Sequence, residues 1–453
     1  MAEEDPINRD TVTLTLDGSE VKIATSFEIN HGLMRQPSEF SIRLGRGSTN
    51  KDTSKGPTIR ELIQQFPPNT LAEVRINGNL RMTGRTDGYR ATAAGGQASE
   101  LTIFGRDTLA PLHDAHVAED KGFQDATYKS LVQSVLNIVG LDGSKVTAGK
   151  DAANKANVNR KVQSGVSIRQ LLPVRTVEEI LKGNTASGAT GGGNTAGGSK
   201  QVLQAKLGER WIDFVRKQLD RAGLFLWPTA EGEFLLSAPN SSQEPIYQII
   251  RQRGQTRNQI NVVHADYLND TRPRYSFANV YGKSGHRAQG HHKAKGDSTD
   301  DIMINPKPSG YGYGISRALY IRDVHCQNTA QAAYLAQRKL AEGRRHGFQL
   351  VYTMAGLSTP AIKGGRAIWT PDTTVHVIDD EFGIDEVFWI DSVDFRRSPQ
   401  TTTTIRLMHT YDIVFGTPDF EGASTTGVAT GFKNPRDVAS ILGKQGADEE
   451  GGD

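Results

Sequence analysis

Cysteine is almost absent from this chain of 453 residues, because Cys326 is the single one. One cysteine excludes an internal disulfide and any zinc site built from a Cys-x-x-Cys pair. Cys326 follows His325, and such a pair could form a thiol nucleophile, but a lone cysteine is more often a small apolar residue. Long apolar runs are lacking too, since no stretch approaches the roughly 18 residues of a membrane span. We therefore expect no disulfide and no membrane insertion.

Net charge is small as well, because 53 Lys and Arg against 51 Asp and Glu leave +2. This balance argues against nucleic-acid binding by the whole surface, although it leaves room for a local basic patch. The acidic N-terminal stretch MAEEDPINRD lacks the apolar core of a signal peptide, so we expect the protein to be completed in a cytoplasm. Glycine, by contrast, is abundant at 48 residues and punctuates short apolar alternations, as is typical of a β-rich chain.

The N-terminal quarter of the chain reads as strands almost throughout. The stretch VTLTLDGSEV alternates apolar residues and turns at Asp17-Gly18, and LAEVRINGNLRMTG does the same at Asn77-Gly78. Asp-Gly and Asn-Gly between alternations favour tight hairpins, because such turns need positive φ. Short strands at this spacing suggest a small barrel or sandwich, and we assign residues 1–117 to a first β-barrel-like domain.

The next region changes to a helical period. Apolar residues recur at helical spacing over 125–139 and again over 207–223, where Gly223 supplies the C-cap. Between these helices, residues 183–199 (GNTASGATGGGNTAGGS) form a Gly-rich insertion, which lacks the Gly-Lys-Ser/Thr order of a phosphate loop. We predict a helix-containing middle domain over residues 118–245.

The C-terminal part returns to strands. Residues 246–415 predict a second β-barrel-like domain that carries a basic loop region, residues 251–295, and a helix over 328–342. Residues 416–453 are rich in Gly, Ser and Thr and read as a flexible tail. The fold class is therefore α+β, mainly β, with two similar small barrels joined by an α/β middle region.

The two β regions share an order of features. EFSIRL, LAEVRING, LRMTGRTDGYRAT and SELTIFGRD in the first correspond to FQLVYTMAG, TTVHVIDD, VFWIDSVDFRR and TTTIRLMHT in the second. A chain that carries one module twice can offer six near-equivalent modules as a trimer, which suits a sixfold partner.

The segment LTIFGRDTLAPLHDAHV concentrates polar residues after a strand. Gly105, Arg106 and Asp107 end the strand, and neighbouring residues of a strand face opposite sides, so Arg106 and Asp107 need different partners. Asp107 can cap the following turn through its carboxylate. His113 and His116 are three residues apart and could meet a metal on a helical turn, but Pro111 interrupts the helix and no third ligand is near. We favour capping and salt bridges here.

The basic region, residues 251–295, raises the hypothesis of nucleic-acid binding. It carries Arg251, Arg253 and Arg257, and the stretch HRAQGHHKAKGD adds histidines among lysines and glycines, which we interpret as a flexible loop. Aromatic residues are sparse there, so ion pairs with acidic segments of a neighbouring subunit, such as Asp379-Asp380-Glu381, are the favoured hypothesis. Those acids lack the Asp-x-Asp-x-Asp-Gly order of a calcium loop, and we predict a hairpin tip that faces solvent or a neighbouring subunit.

Catalytic motifs are not found. Neither a Gly-x-Ser-x-Gly elbow nor a His-Glu-x-x-His pair occurs, so no catalytic residue, metal or cofactor is expected.

The chain resembles the baseplate hub proteins of contractile phage tails, of the phage Mu type, over residues 11–415. The insertion at 183–199 and the long tail depart from the family. Six stretches carry the resemblance, in order: VTLTLDGSEV with FEINHGLMRQPSEFSIRL, VRINGNLRMTGRTDGY, LTIFGRDTLAPLHDAHV, LGERWIDFVRKQLDRAGLFLWPTAEGEFLLSAP, ALYIRDVHCQNTAQAAYLAQRKLAEGRRHGFQLVYTMAG and IWTPDTTVHVIDDEFGIDEVFWIDSVDF.

The resemblance implies a homotrimer whose two barrels per chain form a pseudo-sixfold ring in the virion tail baseplate. Such a ring adapts a hexameric tail tube protein to a trimeric central spike protein, contacts baseplate wedge proteins and surrounds the tape-measure protein. DNA passes through its channel without sequence-specific binding. Related hubs are fused to the spike in type VI secretion, whereas a separate spike is expected here.

Two other functions stay open. One is a tail-associated glycan-binding or peptidoglycan-degrading protein, which a metal bound near His113, Asp114 and His116 would favour. The other is a DNA-contacting protein that uses Arg251, Arg253 and Arg257.

Overall fold

The computed structural model describes residues 10–22, 26–45, 59–92, 100–119, 121–124, 126–149, 155, 158–160, 202–254, 262–275, 277–282, 291–295, 317–323 and 329–413. The predicted Gly-rich insertion, Arg257, Cys326 and the predicted C-terminal tail lie outside these residues.

The described residues form strands and five α-helices. The strands are β1 Val12–Leu16, β2 Ser19–Lys22, β3 Ser26–Gly32, β4 Glu39–Gly45, β5 Leu71–Ile76, β6 Asn79–Thr92, β7 Glu100–Asp107, β8 Lys121–Gln124, β9 Val146–Ala148, β10 Val202–Ala205, β11 Phe225–Pro228, β12 Phe234–Ser237, β13 Tyr247–Arg251, β14 Val262–Asn269, β15 Phe277–Gly282, β16 His291–Lys295, β17 Ala318–Asp323, β18 Phe348–Ala355, β19 Ser358–Pro360, β20 Arg366–Ile368, β21 Thr374–Asp379, β22 Ile384–Arg397 and β23 Thr401–His409. The helices are α1 Ile59–Gln65, α2 Ala110–Asp114, α3 Tyr128–Ile138, α4 Trp211–Ala222 and α5 Thr329–His346.

One 13-stranded sheet unites the two predicted β regions. Its main path runs β14-β18-β23-β22-β3-β4-β7-β6-β5-β1-β2, and β21 joins β13 to β22 beside this path. The β1–β2 and β5–β6 hairpins are tight, since Asp17-Gly18 and Asn77-Gly78 adopt the positive φ values that the sequence predicted.

The two halves of this sheet repeat one strand order. The first half reads β1-β5-β6-β7-β4-β3, and the second reads β13-β21-β22-β23-β18-β14. The match follows the correspondence found in the sequence, with β4, β5, β6 and β7 equivalent to β18, β21, β22 and β23. The outermost pair differs, because β1 runs antiparallel to β5 whereas β13 runs parallel to β21.

The expectation of closed barrels is wrong for the described residues. The two halves are joined edge to edge, because β3 pairs antiparallel with β22. One apolar core lies along both halves, from Leu14 and Ile29 to Phe395 and Leu407. Strand β22 is long enough, at 14 residues, to pair with β21 through its first part and with β3 through its second. The second part of β22 therefore continues the sheet into the first half. A closed barrel would instead require the two edge strands of one half to pair with each other.

The middle region packs around a second core. Helices α3 and α4 bury Leu131, Val135, Trp211 and Val215 against short strands on either side. Helix α4 ends as predicted, because Gly223 adopts the left-handed conformation with φ 65°.

A small sheet of β16, β15 and β17 packs on helix α5. Two expectations are corrected here. The region read as a basic loop contains the strands β14, β15 and β16, and helix α5 runs to His346, four residues past its predicted end. The strands form because alternating residues such as Ala278 and Val280 are buried against Ala332 and Ala336 of the helix, which the basic composition obscured.

Candidate functional site

The end of strand β7 holds the first group of candidate residues. Gly105 has no room for a side chain, because a Cβ there would lie 2.2 Å from the Arg85 carbonyl oxygen and 2.6 Å from the Phe40 ring. The missing side chain lets Phe40 fill the core beneath the strand, where it is almost fully buried.

Arg106 faces the solvent side of the sheet and holds two carboxylates. Its guanidinium donates two hydrogen bonds to Asp87, at 2.7 and 2.9 Å, and two to Asp114, at 2.9 and 2.7 Å. The hydrogen bond from Arg106 lowers the pKa of Asp114. Arg106 thereby ties the second part of β6 to helix α2 across the end of β7.

Asp107 points the other way and is buried. Its carboxylate accepts a hydrogen bond from the Ser38 backbone N–H at 2.6 Å and from the Leu109 N–H at 2.9 Å. The second bond is the turn cap that the sequence predicted. Burial raises the pKa of Asp107 to about 6, although both N–H groups favour the charged form.

The two histidines that follow are not brought together in a ligand set. Burial lowers the pKa of His113 to about 4, and its Nε2 has no hydrogen-bond partner among the described residues. His116 instead forms an isolated backbone bridge with Arg210. Among the residues that the structure describes, no three His, Cys, Asp or Glu side chains are grouped closely enough to hold a metal ion.

Asp379 is the centre of the second group. It is fully buried, and Arg251 Nε lies 3.0 Å from each of its carboxylate oxygens. The Tyr352 hydroxyl donates to Asp379 at 2.7 Å, and the backbone N–H groups of Glu381 and Phe382 donate as well. The guanidinium of Arg251 also lies over the Phe382 ring, 4.4 Å from its centre. Asp379 therefore stabilises the turn between β21 and β22 from inside the chain, whereas the sequence predicted a hairpin tip that faces solvent or a neighbouring subunit.

Arg253 makes the exposed part of the same contact. Its Nε donates to Glu381 at 2.9 Å, and its backbone N–H donates to Asp380 at 3.1 Å. Arginines and acids thus pair in the combination that the sequence suggested, but within one chain. Their role in a subunit interface stays a prediction.

An open cleft of about 490 Å³ lies on the solvent side of the first half of the sheet. Glu28, Glu39, Asp87 and Arg106 line it, together with the exposed ring of Phe104. Within this lining, Arg106 is occupied by Asp87 and is also paired with Asp114 of helix α2.

Sequence reasoning missed two free strand edges. β14 pairs with β18 alone, and residues 88–92 of β6 pair with β7 alone among the described residues. The signal for β14 in the sequence was its apolar residues, in the stretch VVHADYLN. In the structure, Val263, Tyr267 and Leu268 of this strand are exposed by 57%, 41% and 48%. β14 thus combines an unpaired edge with exposed apolar side chains, a combination that most soluble proteins avoid.

Known proteins share this architecture. Residues 334–413 match a family model described as tail protein, C-terminal domain. A tail protein from Neisseria meningitidis MC58 is similar over 89% of this chain and 99% of its own, with a TM-score of 0.60 and 20% identity. The 43 kDa tail protein of prophage MuSo2 from Shewanella oneidensis is similar over the same shares, with a TM-score of 0.62 and 17% identity.

These likenesses establish the fold, and they confirm the resemblance to Mu-type tail proteins at that level. No curated protein sequence matches the chain significantly. Among the described residues, no helix is both long enough and apolar enough to span a membrane.

Proposed function

We propose that this protein is a structural, non-enzymatic hub of a contractile phage tail baseplate, a homotrimer that adapts the sixfold tail tube to the threefold central spike. The observation that carries the proposal is the repeated strand order within one continuous sheet. The tail-protein fold and the family match of residues 334–413 support the placement in a tail.

The repeat extends to single residues, which favours two modules that act alike. In β6 the pairing with β7 shifts between Thr86 and Gly88, and in β22 the pairing with β23 shifts between Ile390 and Ser392. Each half therefore carries a bulge at the same place in its long strand. Three chains with two such halves give six similar units around a threefold axis, which is the symmetry match that a hub requires.

The solvent side of the sheet suits a channel wall. Its charges are mixed and paired, as in the contacts of Arg106 with Asp87 and of Arg43 with Glu100. A wall whose charges neutralise each other offers no strong field to a passing polyanion, so DNA or the tape-measure protein can pass without specific binding. Tube, spike and wedge proteins would contact the rims and the outside of the ring.

The oligomeric mass tests this function. Purified full-length protein should elute with a mass of about three times 49.4 kDa in light-scattering chromatography and should show sixfold-like rings by negative-stain imaging. The ring should also co-sediment with assembled tail tubes, with a tail sheath protein as the control for nonspecific association. A monomer at tens of micromolar, or a dimer, would contradict the proposal.

A further inference from the structure

The contact between β3 and β22 is a joint between the two halves of one chain. Ser392 to Arg397 pair antiparallel with Gly32 to Phe27, and the Leu33 N–H donates to the Asp391 carbonyl at 3.0 Å beside them. The joint connects the outer strand of the first half to the long strand of the second half. It therefore joins two different surfaces of the repeated module.

The complementary surfaces of this joint are both present and unpaired. β14 is the second-half equivalent of β3, because β14 pairs with β18 as β3 pairs with β4. Residues 88–92 are the first-half equivalent of residues 392–396, because each segment follows the bulge of its long strand. In the described part of the chain, neither segment has a strand on the side that the joint would use.

Burial shows what the joint covers. Ile29 of β3 is 1% exposed beneath β22, whereas Tyr267, its equivalent in β14, is 41% exposed. Tyr267 already packs on Phe348 and Phe382, with ring centroids 5.9 and 5.5 Å apart. One side of its ring therefore contacts the core, and the other side is exposed to solvent. A strand laid along β14 would bury it as β22 buries Ile29.

We propose that β14 of one copy pairs antiparallel with residues 88–92 of the next copy, in the register of the β3–β22 joint. This inference rests on the proposed ring and names the surfaces that close it. The equivalent register places Arg90 opposite the partner's Leu268, Ala91 opposite the partner's Tyr267, and Thr92 opposite the partner's Asp266.

The side chains at this register fit. In the joint within the chain, Gly32 lies opposite Ser392, and a Cβ on Gly32 would lie only 2.9 Å from the Ser392 Cβ. The equivalent position between copies again carries one glycine, since Gly88 would lie opposite Asp270. Arg90 would then stand diagonally between the partner's Asp266 and the partner's Asp270. Asp266 is the carboxylate that Arg90 would bind, because Arg272 already pairs with Asp270 within its own chain.

The joint uses a different surface on each of its two partners, so the contact is heterologous. Copies therefore add one after another until the ring closes. An isologous contact would stop at two copies. In the proposed ring, joints within a chain and joints between chains alternate, and three copies supply three of each.

Cross-linking in the full-length chain tests the register. In the β3–β22 joint, Leu33 and Asp391 form a hydrogen-bonded pair, and such pairs alternate with non-hydrogen-bonded ones along the strands. The pair of Asn30 with Asp394 is therefore non-hydrogen-bonded, and it is the equivalent of Leu268 with Arg90. The Cβ atoms approach most closely at pairs of this type. A variant with Arg90→Cys and Leu268→Cys, in a Cys326→Ser background, is oxidised and run on a non-reducing gel. Thr92→Cys with Asp266→Cys is a second matched pair on the same face.

The expected result is a shift of most of the protein to a covalent three-chain band for both matched pairs. The control, Arg90→Cys with Asn269→Cys, places the two thiols on opposite faces of the joint and should stay a single chain on the gel. The oligomeric mass of the protein under reducing conditions distinguishes a failure of the proposed strand pairing from a failure of the proposed trimer. A trimer without the three-chain band, or with equal cross-linking of the control, would overturn this pairing and leave the ring intact. A monomer, or a band of two chains only, would overturn both.

Discussion

Asp87 and Asp391 occupy the same place in the two halves of the sheet, where each is the extra residue of a bulge in a long strand. Their surroundings differ. Asp87 is held by Arg106 on the solvent side, whereas Asp391 is buried and burial raises its pKa to about 6. The two halves therefore share the backbone shape of the module, whereas the side chains at equivalent positions make different contacts.

Gly105 differs from its equivalent, Leu407, and its replacement tests the packing under the first half. Gly105→Ala should lower the free energy of unfolding by more than about 3 kcal/mol, because the new Cβ would collide with the Arg85 carbonyl and with Phe40. Gly78→Ala is the matched control. Its φ is 78° but its Cβ would meet nothing within 4 Å, so only the backbone strain of about 1–2 kcal/mol applies. Urea unfolding measures both variants, and equal losses would disprove the steric account.

The repeat, the hairpin turns and the end of helix α4 at Gly223 could be predicted from the sequence because they depend on local patterns. Asp17-Gly18 needs only its own turn geometry, and EFSIRL or FQLVYTMAG shows its alternation within a few residues. The joint of β3 with β22 links residues more than 350 positions apart, and no local pattern distinguishes an edge that pairs from one that closes a barrel. The closed-barrel expectation was wrong for this reason.

Arg251 and Arg253 should differ sharply when each is replaced by glutamine. Arg251→Gln removes the charge that faces the fully buried Asp379 and should cost about 3 kcal/mol in unfolding free energy. Arg253→Gln removes an exposed pair with Glu381 and should leave the urea midpoint essentially unchanged. Similar midpoints for the two variants would refute the central role assigned to Asp379.

The candidate residues show a second limit of sequence reasoning. The sequence suggested ion pairs of Arg251 and Arg253 with the acids of the β21–β22 turn between subunits, and the structure shows such pairs within one chain. Charge alone does not distinguish a contact within a chain from one between chains. Burial of Asp379 depends on Tyr352 and on β13, which lies parallel to β21. Those neighbours become visible only in the folded sheet.

Asp107→Asn tests the capping carboxylate through pH. The raised folded pKa of about 6 means that the folded state binds the proton more strongly than the unfolded state between about pH 4 and 6. This carboxyl therefore costs stability as pH rises through that window, on the order of 2–3 kcal/mol in total. Asparagine keeps one acceptor for Ser38 or Leu109 and does not titrate. The deficit of the variant relative to the native protein should thus be larger at pH 4.5 than at pH 7.5, as measured by urea unfolding at both values.

An unchanged deficit at the two pH values would show that Asp107 is charged throughout in the folded protein. Asp107→Ala is the control for the hydrogen bonds themselves. It leaves both buried N–H groups without an acceptor and should be the more destabilising variant at pH 7.5, by about 1–3 kcal/mol relative to asparagine.

Replacement of both His113 and His116 by glutamine separates a structural segment from a metal site. The trimer mass should be unchanged, and the free energy of unfolding at pH 7.5 should change by no more than about 1 kcal/mol. The lowered pKa of His113, about 4, means that the folded state binds fewer protons than the unfolded state between about pH 4 and 6.5. The native protein therefore loses stability as pH falls through this window, and the double variant should lose less. Loss of a bound metal, measured by elemental analysis of the native protein and the variant, together with loss of the fold would instead establish a metal site here.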